Sequence, residues 1–364
     1  MASFLRGVRG RSSSSEGKKG KCEPKALQIP LQEDKSDDDS LDEELSGAET
    51  AELMSDEDLA SLVGCQQRSR SDTADGKSGL SSIAYPFSAE QLAAVEQVRK
   101  LCAKELADAA PYEEVVSDRR IMRFLRGHKF DVKVAATMFG NMLSWRKEMN
   151  VDRIREHIVR DNLSPEQFPH YGRIMRYYPS FAHHGTAHDG SPLHIEMVGK
   201  VTPRKMLSCF SSEEWKNFHI YCCEYNALHL DKLSVEKGKL MRMVLLYDLA
   251  GCGPQHLRSK HGWDMIRSTL KITQDNYPES MRECWLINVP KLFTMAWQLL
   301  KPCLAERTVR KIQILGSKDY HKMLNQIPAT SLPEAYGGSR PNQWPLVFDK
   351  KEFKALDEEH RVLE

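Results

Sequence analysis

The sequence predicts an α/β protein in which a small helical lobe precedes a lobe built on a mainly parallel sheet. Short amphipathic helices follow one another in the first part of the folded region, and apolar strands alternate with helices further on. One strand, MVLLYD at 243–248, is a continuous apolar run that ends in Asp, which is typical of a central strand covered by helices on both faces. Strands alternating with helices favour a parallel sheet.

The helical lobe begins at Ser88, which forms the S-x-x-Q pattern of a capping box with Gln91. Apolar residues then recur at intervals of three from 92 to 101, as one buried face of a helix requires. A second helix is predicted over 118–126, and a third starts with Asp131 as its N-cap. Together they make a compact helical unit.

The remaining elements belong to the α/β lobe. We predict strands at 193–198, 243–248, 284–289 and 309–315, and helices at 212–230, 263–276, 292–304 and 317–327. In the last strand Lys311 and Gln313 share one face, and Ile312 and Ile314 share the other. A lysine on an internal strand is rarely buried alone, so Lys311 needs a carboxylate or an anionic ligand head group.

The helix predicted at 292–304 is apolar nearly all round, and only Thr294, Gln298 and Lys301 interrupt the pattern. Such a helix is either buried in the core or faces apolar material that is not protein. The residue pattern leaves both interpretations open.

Residues 1–84 are predicted to be a disordered polyampholyte tail. Residues 33–58 contain thirteen acidic residues and one lysine, a composition that buries too little apolar surface to offset its ordering entropy. Residues 81–364 carry 41 basic and 34 acidic residues, so the folded body is mildly basic. The segment around Phe4, Leu5 and Val8 lies among arginines, and organelle targeting by the N-terminus stays an open alternative.

Known catalytic motifs are missing from the sequence. It contains no P-loop, no GxGxxG after a strand, no GxSxG and no HExxH. His183, His184 and His188 are interrupted by glycines, and we interpret this segment as a polar loop rather than a zinc site. The nine cysteines form no CxxC pair and predict buried free thiols in a reducing compartment. We therefore expect no enzyme, no metal and no cofactor.

Four separated segments resemble the CRAL-TRIO lipid-binding family, in its phosphatidylinositol/phosphatidylcholine transfer branch. They are MRFLRGHKFDVKVAATMFGNMLSWRKEMN, YYPSFAHHGTAHDGSPLHIEMVGKV, DNYPESMRECWLINVPKLFTMAWQLLKPCLAERTVRKIQILG and LNQIPATSLPEAYGG, in the family's order. The resemblance covers roughly 88–338. It divides the chain into the tail, a helical lobe at 85–155, a lipid-binding lobe at 156–340 and a C-terminal extension at 341–364.

The resemblance implies a sheet that floors an apolar pocket under a mobile gate helix. By position the gate is the segment at 291–304, which suits its all-round apolarity. A lid is required because a diacyl lipid holds about thirty methylenes, each worth about 0.8 kcal/mol when removed from water. The implied acyl-chain contacts are Leu292, Phe293, Met295, Ala296, Trp297, Leu299 and Leu300.

The resemblance also implies the lipid head-group residues. Glu279, Thr308 and Lys311 match the polar set of the phosphatidylinositol binders, and Lys129 matches the basic residue of the helical lobe. His128 stands where the family usually has Arg, and a mostly neutral imidazole cannot contact phosphate bidentately. Ser191 likewise replaces the usual Arg of DGRPV.

We therefore expect non-enzymatic lipid binding, with transfer or presentation of phosphatidylinositol and a second phospholipid such as phosphatidylcholine. Two alternatives stay open: a carrier of a tocopherol, retinoid or sterol-like ligand, and a lipid-regulated signalling scaffold with a partner for its acidic tail. The expected protein is a cytoplasmic monomer that contacts anionic membranes transiently and binds no nucleic acid. Its sequence has no apolar run of 18 residues, so we expect no membrane-spanning helix.

Overall fold

The computed structural model describes residues 85–178, 182–256 and 258–342, and only the backbone of residues 182–184. The predicted tail and almost all of the predicted C-terminal extension lie outside the described residues. The helices are α1 (Ala89–Leu101), α2 (Ala103–Ala107), α3 (Glu113–Val116), α4 (Asp118–Gly127), α5 (Val132–Glu148), α6 (Val151–Arg160), α7 (Tyr171–Met175), α8 (Pro203–Cys209), α9 (Ser212–Lys237), α10 (Lys260–Asn276), α11 (Phe293–Leu300), α12 (Glu306–Val309) and α13 (His321–Leu324). The strands are β1 (Ala182–Thr186), β2 (Pro192–Glu196), β3 (Met243–Asp248), β4 (Met281–Ile287) and β5 (Ile312–Ile314).

The helical lobe has the predicted capping residues and a core of its own. The Ser88 side chain accepts the N–H of Gln91 at the start of α1, and Asp131 caps α5 in the same way. Between the helices, the rings of Phe124 and Phe139 meet edge to face with centroids 5.4 Å apart. Burial of this apolar face, at roughly 25 cal/mol per Å², is the main force that holds the short helices together.

Arginines of α4 join the helical lobe to the α/β lobe. The Arg119 guanidinium lies 2.8 Å from Asp231 of α9. Arg123 donates to the backbone carbonyls of Met241 and Glu279, at 2.9 and 2.8 Å. A guanidinium carries enough donors to satisfy several carbonyls at once, so each arginine can be buried without losing its hydrogen bonds.

Helix α6 runs through the predicted boundary between residues 155 and 156. Its Ile154 and Ile158 pack in the same cluster as Phe168 and Phe218, which belong to the second lobe. The two lobes therefore share a continuous helix at this point rather than a linker.

The five strands form one sheet in the order β1-β2-β3-β4-β5. Strands β2 to β5 are parallel, and β1 pairs with β2 in the antiparallel direction. This mainly parallel sheet, preceded by helices, confirms the predicted fold class. The polar loop predicted at the histidine segment is wrong in part, because Ala182–Thr186 forms the edge strand β1.

The two faces of the sheet are covered differently. On one face Leu246 and Trp285 pack in a fully buried cluster with Met323 and Leu332 of the C-terminal segment. On the other face the central strand β3 is less enclosed, since Leu245 and Tyr247 are only half-buried. A central strand with one incompletely covered face is the arrangement expected beside a ligand cavity.

Several predicted element bounds need correction. Helix α9 continues to Lys237 rather than ending at 230, because the Gly238 cap lies there. The predicted strand at 309–315 shortens to β5, and α12 occupies the residues before it, so Lys311 lies just outside the strand. The predicted helix at 317–327 is one turn of 3-10 helix, Ser317–Asp319, followed by α13.

Candidate functional site

The segment predicted to be a gate is helix α11, followed by one 3-10 turn at Lys301–Cys303. The rings of Phe293 and Trp297 stack at a centroid distance of 5.9 Å and are buried against β4 and β5. Met295, on the same helix, is 63% exposed to solvent. The all-round apolar pattern thus corresponds to one face buried on the sheet and one face open to solvent. The other predicted gate residues, Leu292, Ala296, Leu299 and Leu300, are half-buried.

The half-buried face of β3 carries side chains that feel burial although they stay partly accessible. Burial raises the pKa of the Tyr247 hydroxyl well above its ordinary value, and the residue is only half-buried. Burial also lowers the pKa of His219 to about 4, and this residue is likewise half-buried. Aromatic and apolar residues that stay partly accessible within a fold are typical of ligand pockets.

Four basic side chains surround the carboxylate of Glu279 next to the sheet. Arg307 Nε and Lys311 Nζ lie 2.7 and 3.0 Å from one carboxylate oxygen. Arg126 Nε and Arg242 Nη1 lie 3.1 and 3.3 Å from the other. We call these five residues the Glu279 cluster. The structure thus brings together two of the predicted head-group residues, Glu279 and Lys311.

The electrostatics of this cluster follow from burial and crowding. Burial would raise the pKa of Glu279, but Lys311, Arg307 and Arg242 together hold it below its ordinary value. Burial lowers the pKa of Lys311 to about 8; Glu279 opposes this, and the neighbouring Arg242 and Arg307 add to it. The carboxylate therefore stays charged, whereas the lysine titrates near physiological pH.

Glu279 itself occupies an unusual backbone conformation. Its φ of 56° lies in the left-handed region, which a non-glycine residue adopts at a cost of about 1 kcal/mol or more. The conformation turns the side chain of a residue between α10 and β4 toward the helical lobe, where Arg126 meets it. Ionic contacts from four cations in separate parts of the chain offset this strain.

The remaining predicted head-group residues lie around the cluster rather than within it. Thr308 of α12 is half-buried, and its hydroxyl has no hydrogen-bond partner among the described residues, while its carbonyl accepts the N–H of Lys311. The Lys129 side chain is 73% exposed and lies 3.8 Å from Glu306. His128 is half-buried, and burial lowers its pKa, so the imidazole is neutral at pH 7.

Guanidinium groups lie close to both positions, 128 and 191, at which the sequence departs from the family pattern. Near His128, guanidinium groups are supplied by Arg126 and Arg307, the latter also donating to the Arg126 carbonyl at 2.8 Å. Ser191 is buried, and Arg282 Nη1 lies 2.6 Å from Asp189 and 3.4 Å from the Ser191 hydroxyl. Against the effect of burial, hydrogen bonds from the Ser191 backbone and side chain, together with Arg282, hold the pKa of Asp189 at about 2.

A second polar group in the α/β lobe was not expected from the sequence. Glu196 of β2 accepts from Tyr178 and lies 2.9 Å from His194, with its side chain 13% exposed. Its charge raises the pKa values of Tyr247 and His219, so it lies near both of these half-buried residues. A signal was present: His194 and Glu196 alternate with the apolar Leu193 and Ile195 and thus share one strand face.

The described residues hold no group of three or more His, Cys, Asp or Glu side chains suited to a metal ion. His188 is exposed, with Nε2 3.2 Å from the Leu324 carbonyl, and the side chains of residues 183 and 184 lie outside the described part. Cys222 and Cys223 are both free, and burial raises the pKa of Cys223 to about 12. In the same part of the chain, no helix is both long and apolar enough to cross a membrane.

Comparison with known proteins now adds to this geometry. Residues 177–338 match the CRAL/TRIO domain. The chain is 33% identical over 232 residues to the Sec14 cytosolic factor of Schizosaccharomyces pombe, a match covering 63% of this chain and 77% of that protein. The SEC14 cytosolic factor of Kluyveromyces lactis is 34% identical over 239 residues, covering 65% of this chain and 75% of that protein.

A further relative is the phosphatidylinositol/phosphatidylcholine transfer protein SFH4 of Arabidopsis thaliana, 31% identical over 231 residues. That match covers 60% of this chain and 35% of the plant protein, so the chain spans about a third of its length. The crystal structure of Sfh5 aligns with a TM-score of 0.47 and 17% identity, over 76% of this chain and 95% of that chain.

The helical lobe, the sheet order and the matched segment together define a protein of the CRAL/TRIO class. The chain belongs to the CRAL/TRIO family and, within it, to the relatives of the Sec14 cytosolic factors. The resemblance inferred from the four sequence segments is therefore confirmed.

Proposed function

We propose that this chain binds phosphatidylinositol in its cavity, exchanges it for a second phospholipid such as phosphatidylcholine, and transfers or presents these lipids without transforming them chemically. The observation that carries the proposal is the Glu279 cluster, in which Lys311 and Arg307 share one carboxylate oxygen next to the sheet. A carboxylate accepts from inositol hydroxyls, and the cations bind the phosphate. The printed name of the plant relative, a phosphatidylinositol/phosphatidylcholine transfer protein, supports the same ligands.

The acyl chains would occupy the cavity between β3 and α11. Leu245 and Tyr247 supply half-buried surface there, and the stacked Phe293 and Trp297 close it from the gate side. Removing two acyl chains from water is worth about 0.8 kcal/mol per methylene, so a closed lid is strongly favoured when lipid is bound. Opening α11 exposes apolar surface, which is favourable at a bilayer rather than in water.

The second phospholipid would place its head group at Glu196. A buried carboxylate with the aromatic rings of Tyr178 and Tyr247 nearby suits the quaternary ammonium of choline, which binds to anions and to ring faces. The two lipids would then use two different head-group sites while sharing the space for their acyl chains. Exchange between them follows, because one lipid must leave before the other can enter.

Membrane contact would be brief and assisted by charge. Lys291, Lys301, Arg307 and Arg310 flank α11, and the body carries more basic than acidic residues. Basic residues near an anionic surface contribute about 1 kcal/mol each, and salt screens this attraction. The yeast relatives are named cytosolic factors, which supports a cytosolic protein that meets membranes transiently.

The substitution Lys311→Ala tests the head-group assignment. We expect it to abolish phosphatidylinositol transfer between vesicles while phosphatidylcholine transfer continues, because only the inositol phosphate needs the ammonium group. Lys322→Ala, at an exposed lysine paired with Asp319, is the matched control and should change neither activity. Loss of both transfer activities in a folded Lys311→Ala protein would refute the assignment.

A further inference from the structure

The Glu279 cluster carries more positive charge than its single carboxylate balances. Four cations surround one carboxylate, a formal excess of three positive charges. A fifth cation, the guanidinium of Arg123, donates to the backbone carbonyl of Glu279 at 2.8 Å. Arg126 and Arg242 hold further contacts as well, and the relevant feature is the number of cations that converge here.

The pKa values of the cluster reflect this crowding. Burial lowers the pKa of Arg242 to about 10, and the neighbouring Arg126 and Arg307 contribute to the decrease against the opposing effect of Glu279. The site is thus set up to gain an anion. The phosphodiester of phosphatidylinositol brings one negative charge, whereas a phosphate monoester brings about −1.5 to −2 at pH 7.

Arg307 is the group best placed to contact an incoming phosphate. Its side chain is 30% exposed, whereas those of Lys311 and Arg242 are 10% and 4% exposed. It extends from α12, one turn beyond the gate segment, and spans Glu279 and the Arg126 carbonyl. When Arg307 leaves Glu279 to contact a ligand, Lys311, Arg126 and Arg242 still surround the carboxylate. The buried carboxylate therefore keeps its cations.

We propose that the Glu279 cluster prefers a lipid head group that bears a phosphate monoester, such as a phosphorylated inositol lipid, over unphosphorylated phosphatidylinositol. This inference rests on the proposed function and specifies the ligand class of the same site. Arg307 is the residue that determines the preference, because its part-exposed guanidinium adds a bidentate donor for the second phosphate.

In the test, the full chain is incubated with phosphatidylcholine vesicles. These vesicles contain equal mole fractions of phosphatidylinositol and phosphatidylinositol monophosphate. The protein is re-isolated, and mass spectrometry measures the ratio of the two inositol lipids bound. We expect the monophosphate to dominate by about tenfold, the effect of one charge-assisted contact. Arg307→Gln should reduce that ratio to near one. Arg267→Gln, at an arginine of α10 that is 46% exposed and pairs with Asp264, is the matched control and should leave it unchanged.

The outcomes separate this inference from the proposed function. Extraction of phosphatidylinositol with no preference for the monophosphate overturns the inference alone, and so does an unchanged ratio in a folded Arg307→Gln protein. Extraction of neither inositol lipid overturns the proposed function and the inference with it. Inorganic phosphate and soluble inositol phosphate form a further arm: if they raise the melting temperature as much as the lipid does, the ligand is a soluble phosphate and the lipid assignment is wrong.

Discussion

Two buried ionic clusters in this protein differ in their charge balance. In the Glu279 cluster four cations meet one carboxylate. In the second cluster Arg146 of α5 lies 2.7 Å from both Glu224 and Asp152 and thus meets two carboxylates. We call this second group the Arg146 cluster; Tyr277 also belongs to it and donates to Glu224 at 2.7 Å.

The pKa values express the same contrast. Burial works against the charge of Arg146, but Glu224 outweighs it and raises the pKa above its ordinary value. In the Glu279 cluster the cations Lys311 and Arg242 have lowered pKa values instead. A cation that meets two carboxylates holds parts of the fold together, whereas a cluster with excess cations gains from an added anion. The Arg146 cluster thus fits a structural role, and the Glu279 cluster fits the ligand-binding role that we propose for it.

The largest expected effect is on stability, from the substitution Arg146→Ala. It leaves the carboxylates of Glu224 and Asp152 without their main cation, and breaking a buried pair in this way costs about 3–5 kcal/mol. Denaturant unfolding measures the loss. Arg307→Gln should change stability by about 1 kcal/mol or less, because its side chain is part-exposed and Glu279 keeps three cations. Equal losses from the two substitutions would break the comparison.

The second prediction concerns pH, and it involves the Glu279 cluster alone. The pKa of Lys311 is lowered to about 8, first by burial and then by Arg242 and Arg307. Raising the pH from 7 to 9 removes most of its charge, so phosphatidylinositol transfer should fall about tenfold. Because the unfolded lysine keeps its proton up to about pH 10.4, the contribution of Lys311 to stability rises over the same interval.

Lys311→Arg sharpens this test, because a guanidinium stays charged throughout that pH range. The variant should transfer phosphatidylinositol with little change between pH 7 and 9. Phosphatidylcholine transfer, measured in the same vesicles, corrects for changes in the membrane or the gate. A wild-type profile as flat as that of Lys311→Arg would mean that the lysine does not contact the head group.

The sequence predicted structure best where all the residues that determine a feature lie within one helix or strand. Strand β3 coincides with the predicted segment 243–248, because an apolar run that ends in Asp leaves little choice of boundary. The capping residues Ser88 and Asp131 were predicted for the same reason, since each acts on the following three residues. Strand β1 was missed because AHHGT lacks apolar alternation and pairs only at the sheet edge.

The site was harder to predict, because its residues come from distant elements. Lys311 was expected to need a carboxylate, and it lies 3.0 Å from Glu279. The arginines at 126, 242 and 307 could not be placed beside them, since no periodicity links α4, the residue before β3 and α12. Glu196 was not predicted as a site residue, because alternating polar and apolar residues are equally typical of a strand with one face in water.

The smallest effects are expected from removing single hydroxyl groups, one at each of the two clusters. Thr308 is half-buried near the Glu279 cluster, and its hydroxyl has no partner among the described residues, so it is available to a ligand. Thr308→Val should lower phosphatidylinositol transfer about three- to tenfold, the worth of one hydrogen bond. It should leave stability within about 0.5 kcal/mol, because no protein contact is lost.

Tyr277→Phe is the matched change in the Arg146 cluster. Its hydroxyl is buried and donates to Glu224, so its loss should lower the free energy of unfolding by about 1 kcal/mol and leave lipid transfer unchanged. The two variants should therefore behave oppositely: Thr308→Val lowers lipid transfer but not stability, and Tyr277→Phe lowers stability but not lipid transfer. If Thr308→Val instead destabilises the fold while transfer persists, the Thr308 hydroxyl has a structural role, and the Glu279 cluster must bind its ligand without it.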